Sequence, residues 1–118
     1  MARHQPEVDE HNVYLLRGCI ENDADLYRQQ FIPIVQNLMR KRAKGTYDST
    51  KAAKLFGYLA DAGAQKCAKF YDDDRRPWHA IFPPADRRAV ARAMEKSFRD
   101  EADLGNYDND AMSGKRRR

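Results

Sequence analysis

Between Asp48 and about Tyr71 the apolar residues Ala52, Leu55, Phe56, Leu59, Gly63, Cys67 and Phe70 recur at intervals of three and four, the spacing that puts side chains on one face of an α-helix. At about 100° per residue, the same segment gathers Lys51, Lys54, Asp61, Gln65, Lys66 and Lys69 on the opposite side. A helix with one apolar stripe has to bury it against another element. The small residues Ala60, Ala62, Gly63 and Ala64 let a neighbouring helix backbone come close, so packed helices are the expected architecture.

Two further segments carry the same period. Asn22 is placed to cap a helix whose first turn holds Asp23 and Asp25, acids that suit the positive end of a helix dipole. Tyr27, Phe31, Ile34, Val35, Leu38 and Met39 share its inner face. Pro33 interrupts it: lacking an N–H and crowding the preceding turn, it either kinks the helix or splits it between Phe31 and Ile32. Gly45 is a left-handed stop after Arg40, Lys41, Arg42 and Lys44, and Asp48 caps the helix that follows. The third helix opens at Pro83-Pro84, because a first turn does not use proline's missing N–H. Its inner face is Ala89, Val90, Ala93, Met94, Ser97 and Phe98, up to Leu104-Gly105. Residues 13–20 are apolar but too few to separate a strand from a helical turn. Short connections favour antiparallel neighbours. The expectation is an all-α fold, a small three-helix bundle with a kinked or split first helix. A flexible arm over 1–12 precedes one helical domain over 13–105, and a flexible basic tail over 106–118 follows it.

At 118 residues the chain suits one domain, burying roughly 65% of its unfolded surface. Its 42% hydrophobic and 34% charged residues and mean hydropathy of −0.91 fit helices with narrow apolar stripes and wide solvated faces. No apolar run approaches the roughly 18 to 20 residues of a membrane span. The segment Met1 to Pro6 leads into acids, not into an apolar signal, so no membrane partner and a cytosolic setting are expected. In that setting Cys19 and Cys67, which form no CxxC pair, are expected as reduced thiols, Cys67 being a small core residue. A Cys19–Cys67 disulfide is the alternative.

Charge narrows the function. Four of the 22 basic residues are the terminal Lys115, Arg116, Arg117 and Arg118, and the other 18 equal the 18 acids. The body is therefore formally neutral, unlike a broadly basic nucleic-acid-coating surface. The tail would attract phosphate or an acidic partner in a salt-sensitive way. At the tip of the helical hairpin, Arg40, Lys41, Arg42 and Lys44 end one helix while Lys51 and Lys54 start the next. The first four complement a helix C-terminus without any ligand. Lysines in a first turn run against that preference, and with the helix N-terminus they could hold an anion. On the third helix Arg87, Arg88, Arg92, Lys96 and Arg99 interleave with Asp86, Glu95, Asp100, Glu101 and Asp103, which reads as neutralised pairs. Tyr47, Trp78 and Phe82 sit in connectors, where aromatics either anchor a partner or close the core.

Reaction motifs are missing: the sequence has no phosphate loop, no GxGxxG after a strand, no HExxH, no GxSxG and no zinc-deaminase pairing,. His4, His11 and His79 are scattered, and Asp72, Asp73 and Asp74 lack the glycine-bearing pattern of a calcium loop,. We therefore expect no enzyme, no metal and no cofactor. The stretch Lys44 to Leu55, with Leu26-Tyr27 and Asn37-Leu38 before it and Ala64 after it, resembles small uncharacterised helical proteins of phage and plasmid genomes over residues 22–71. That resemblance implies an accessory protein of a mobile element and supplies no activity or site residue. The expected function is a non-enzymatic helical module that binds a protein through the tip aromatics or a helix face. The alternative is a nucleic-acid-binding protein using the hairpin tip and the tail. Association of two copies is left open.

Overall fold

The computed structural model describes residues 8–70 and 76–108, and all regular structure among them is helical. Helix α1 spans Glu10–Asn22. A short α2, Ala24–Leu26, runs through a π-helical turn, Tyr27–Phe31, into α3, Ile32–Ala43. Helix α4 is Ser49–Cys67, continued by a 3-10 turn, Ala68–Phe70; α5 is Trp78–Ile81 and α6 is Pro84–Asp103. The all-α bundle is the one the apolar stripes require, but its central trio is not the expected one. Helices α1, α4 and α6 pack mutually, and the α2–α3 rod joins them through thinner contacts.

Helix α1 is the segment whose period was too short to read. Asp9 starts it by accepting the N–H groups of His11 (3.0 Å) and Asn12 (3.2 Å), which satisfies first-turn donors that have no partner within the helix. Leu16 and Ile20, one turn apart, are buried. The helical body therefore begins at Glu10, not at residue 13. A buried carboxylate fixes α1 on α6: Asp86, 2% exposed, accepts from the Asp9 N–H (2.8 Å) and from Asn12 Nδ2 (3.0 Å). Further along both helices, Arg17 donates to Ser97 Oγ at 2.7 Å. The two pairings advance together, so α1 and α6 run parallel. Helices α4 and α6 run antiparallel, because Tyr47, before α4, meets Glu95 while Asp61, late in α4, meets Arg87.

The helix changes type where Pro33 was expected to split it: the π-helical turn ends at Phe31 and α3 begins at Ile32, with the backbone continuing through the junction. Leu26, Tyr27, Phe31 and Ile32 all keep right-handed helical backbone, and the Ile32 N–H reaches back to the Tyr27 carbonyl, five residues earlier. This wider turn inserts one residue and carries the chain past the proline ring. Asp23, not Asn22, is the cap: its side chain accepts the Leu26 N–H at 2.9 Å, and Asn22 closes α1. Val35 and Leu38 are buried, whereas Tyr27 is 41% exposed. Gly45 takes φ 73° as expected; its N–H bonds the Arg42 carbonyl and the Thr46 N–H bonds the Lys41 carbonyl, the two wrapped-back bonds of a left-handed stop. Gly105 ends α6 in the same way, with φ 81°.

Leu38, Leu59 and Met94 all lie in one interior with Phe56, Phe82 and Phe98. Phe70 departs from the stripe and is 70% exposed, because the tighter 3-10 turn at Ala68–Phe70 swings the final residue off the α-helical face. The body also extends beyond residue 105, since the Tyr107 ring stacks on Phe98 at 5.6 Å. The reduced-thiol expectation is overturned. Cys67 is fully buried, as a core residue should be, but α1 brings Cys19 to a Cα–Cα distance of 6.5 Å and the two form a disulfide. No helix among the described residues is long and apolar enough to cross a membrane.

Candidate functional site

The connector aromatics serve the fold. Tyr47 is half-buried, its ring 5.8 Å from Phe98, and its hydroxyl donates to Glu95 Oε2 at 2.6 Å. Burial first, and the neighbouring Glu95 carboxylate second, push the Tyr47 phenol well above its ordinary value. Arg99 approaches the same carboxylate at 2.7 Å, so Glu95, 5% exposed, has both a donor and a counter-charge. Trp78 opens α5 and packs against the core. The Arg87 guanidinium lies 4.8 Å from the Trp78 ring centre while donating to the Phe82 carbonyl (2.9 Å) and to Asp61 (2.7 Å). Phe82 is fully buried.

The basic tip is split by the fold. Arg42 bonds Asp103 at 2.7 Å, tying the end of α3 to the end of α6. Asp48 is occupied as the α4 cap, accepting the Lys51 N–H at 3.1 Å. Arg40, Lys41, Lys44 and Lys51 are exposed, and none joins an ion pair among the described residues. Lys54 belongs elsewhere, on the wall of a groove. Lys115, Arg116, Arg117 and Arg118 lie outside the described residues, as do Asp72, Asp73 and Asp74.

That groove runs between α4 and α6 and has a volume of about 710 Å³. Ala53 and Gly57 of α4 and Ala91 of α6 give it an apolar floor, Lys54, Arg88 and Arg92 stand on its walls, and Tyr58 borders it, 61% exposed. The interleaved acids of α6 do not neutralise these cations. Asp86 is turned inward to α1, Glu95 is taken by Tyr47 and Arg99, and Asp103 by Arg42. Asp61, at the groove's far end, is taken by Arg87. The expected pairing thus holds for Arg99 with Glu95 and fails for Arg88 and Arg92. Their spacing of four was legible as two like charges on one face; that α4 would meet that face was not.

Three other groups are shifted by their surroundings. A hydrogen bond from Lys66, then one from the Leu26 N–H, holds the Asp23 carboxyl below its usual value, and the same bond raises Lys66. Burial, then the Glu101 charge, raises the Tyr107 phenol. Among the described residues no three His, Cys, Asp or Glu side chains gather as a metal site. No family model, curated protein or solved structure matches the chain.

Proposed function

We propose that this chain is a non-enzymatic helical module that binds another protein, using a helix face and not its connector aromatics. The observation that carries the reading is the open α4–α6 groove, with an exposed tyrosine at its border and three cations that join no ion pair among the described residues. Tyrosine and arginine around an apolar centre are the residues that carry most of the energy at protein interfaces. The four groups with displaced acidity, Asp23, Lys66, Tyr47 and Tyr107, owe it to structural neighbours, and none of them lines the groove. The likeness of residues 22–71 to small proteins of phage and plasmid genomes supports an accessory role in a mobile element.

A photo-cross-linking residue placed in turn at Tyr14, Tyr58, Phe70 and Leu104, four large exposed side chains, tests this in the source cells. One protein should be captured reproducibly from at least one position and should bind the purified chain in solution. Capture from none of the four, together with turnover of a small molecule by purified material, would sink the reading. The cytosolic setting belongs to the same proposal and has its own check. Fractionation of the source cells should recover the chain in the cytosolic fraction; recovery from an extracytoplasmic fraction, where disulfides such as Cys19–Cys67 ordinarily persist,, would overturn that setting.

The second reading, nucleic-acid binding, draws on Arg40, Lys41, Lys44 and Lys51, exposed about the α3–α4 turn. Gel-shift titrations at two salt concentrations separate the two. Phosphate contacts weaken steeply as counterions are added, and neutralising Arg40, Lys41 and Lys115 to Arg118 would abolish the shift.

A further inference from the structure

Resting on the protein-binding reading, we infer that the α4–α6 groove receives an acidic polypeptide segment, whose apolar side chain beds on the floor at Gly57 and whose carboxylates meet Lys54, Arg88 and Arg92. The charge argument is direct. All three cations are exposed, while the acids at the groove's ends, Asp61 and Glu95, are bonded to Arg87, Tyr47 and Arg99. Arg88 and Arg92 stand four residues apart on one helix, where like charges repel. An occupant bringing carboxylates removes that repulsion and gains charge-assisted hydrogen bonds.

The floor argues for a polypeptide over a nucleic acid. Phosphate backbones are held by cations and amides and make no use of an apolar strip between two cationic walls. Ala53, Gly57 and Ala91 form such a strip, and Gly57 leaves it open: a Cβ built there meets no atom within 4 Å. Glycine inside a helix costs about 1 kcal/mol relative to alanine, and no contact among the described residues explains it at this position. From Ser49 to Asp61 the groove follows α4 for about 18 Å, room for an extended segment of several residues or about three helical turns.

The test pans a random dodecamer peptide library, displayed on phage, against the full disulfide-linked chain, then measures the best peptide by fluorescence anisotropy. Selected peptides should carry aspartate or glutamate on either side of an aliphatic or aromatic residue. Gly57→Leu, and separately the pair Arg88→Glu with Arg92→Glu, should each weaken binding by about tenfold or more, while Tyr14→Ala on α1 leaves it unchanged. Binding should also fall severalfold between about 50 and about 300 mM salt. A melting temperature of Gly57→Leu at or above the parent's separates a filled groove from a damaged fold. Peptides lacking acids, or binding that survives both groove variants, would overturn the inference while leaving a cross-linked protein partner, and so the module reading, intact. A short DNA duplex that binds in place of any peptide and is lost with Arg88→Glu/Arg92→Glu would overturn both.

Discussion

Helix α4 carries two half-exposed or buried glycines six residues apart, and its two sides use them differently. Toward α1, a Cβ at Gly63 would overlap Ile20 Cγ1 and stand 2.8 Å from Ile20 Cδ1. The fold itself demands a missing side chain there, because Ile20 and Leu16 fill that space and Cys67, one turn on, is bonded to Cys19. Toward the groove, a Cβ at Gly57 meets nothing. The closed side is sewn by a disulfide, by the Asp23–Lys66 contact at 2.7 Å and by the buried Asp86 that anchors α1. The open side has Lys54, Arg88 and Arg92, which join no ion pair among the described residues. An absent side chain on one side serves internal packing, and on the other it leaves room that no described residue occupies.

The largest expected effect breaks the closed side. Cys19→Ser with Cys67→Ala removes a cross-link whose ends are 48 positions apart, worth about 4 kcal/mol by chain entropy; urea unfolding of both forms measures it. A loss under about 1 kcal/mol would show that packing alone holds α1, and the contrast between the two sides would fade. Next comes Gly63→Leu, which overfills the α1–α4 contact and should lose about 3 kcal/mol in the same assay. Smaller and opposite in sign, Gly57→Ala should gain about 1 kcal/mol from helix propensity with no clash. Destabilisation by Gly57→Ala would mean that the groove floor is already filled.

The smallest effect sharpens the closed side through pH. Asp23 titrates below its unfolded value of 3.8, so its bond contributes above that pH and is lost as the pH falls through the native value. Lys66 titrates above 10.5, so its contribution is present below that pH and is lost as the pH rises through the native value. The stability difference between the parent and Lys66→Met should therefore be flat through neutrality and shrink at both extremes. A difference that does not change with pH would assign the Lys66 effect to packing of its aliphatic stem.

Local signals were readable where one segment decides its own shape. The α4 stripe, the Asp48 cap, the Gly45 stop and the proline start of α6 each depend on neighbours within a turn or two, and those came through. Helix α1 did not, because Leu16 and Ile20 define a face only once Gly63 and Asp86 lie opposite it. Pro33 marked the boundary between Phe31 and Ile32, but not its form: a π-turn adds a residue, which no apolar spacing records. The candidate site was partly legible, since Lys54, Arg88 and Arg92 could each be placed on a solvated face. What was missed is that Asp86, Glu95 and Asp103 are drawn off by α1, by Tyr47 with Arg99, and by Arg42.

The sequence by itself determined that this chain is helical, where α4 and α6 start, and most of the apolar residues those two turn inward, because helix geometry ties side-chain direction to positions three and four apart,. Only the tertiary structure decided that Cys19 meets Cys67, that Tyr47 and Trp78 face the core, and that Gly57 opens into a cationic groove. Those outcomes depend on which helix lies beside which, and that choice is made by the burial of all the apolar faces together, at separations where the order of residues carries no distance.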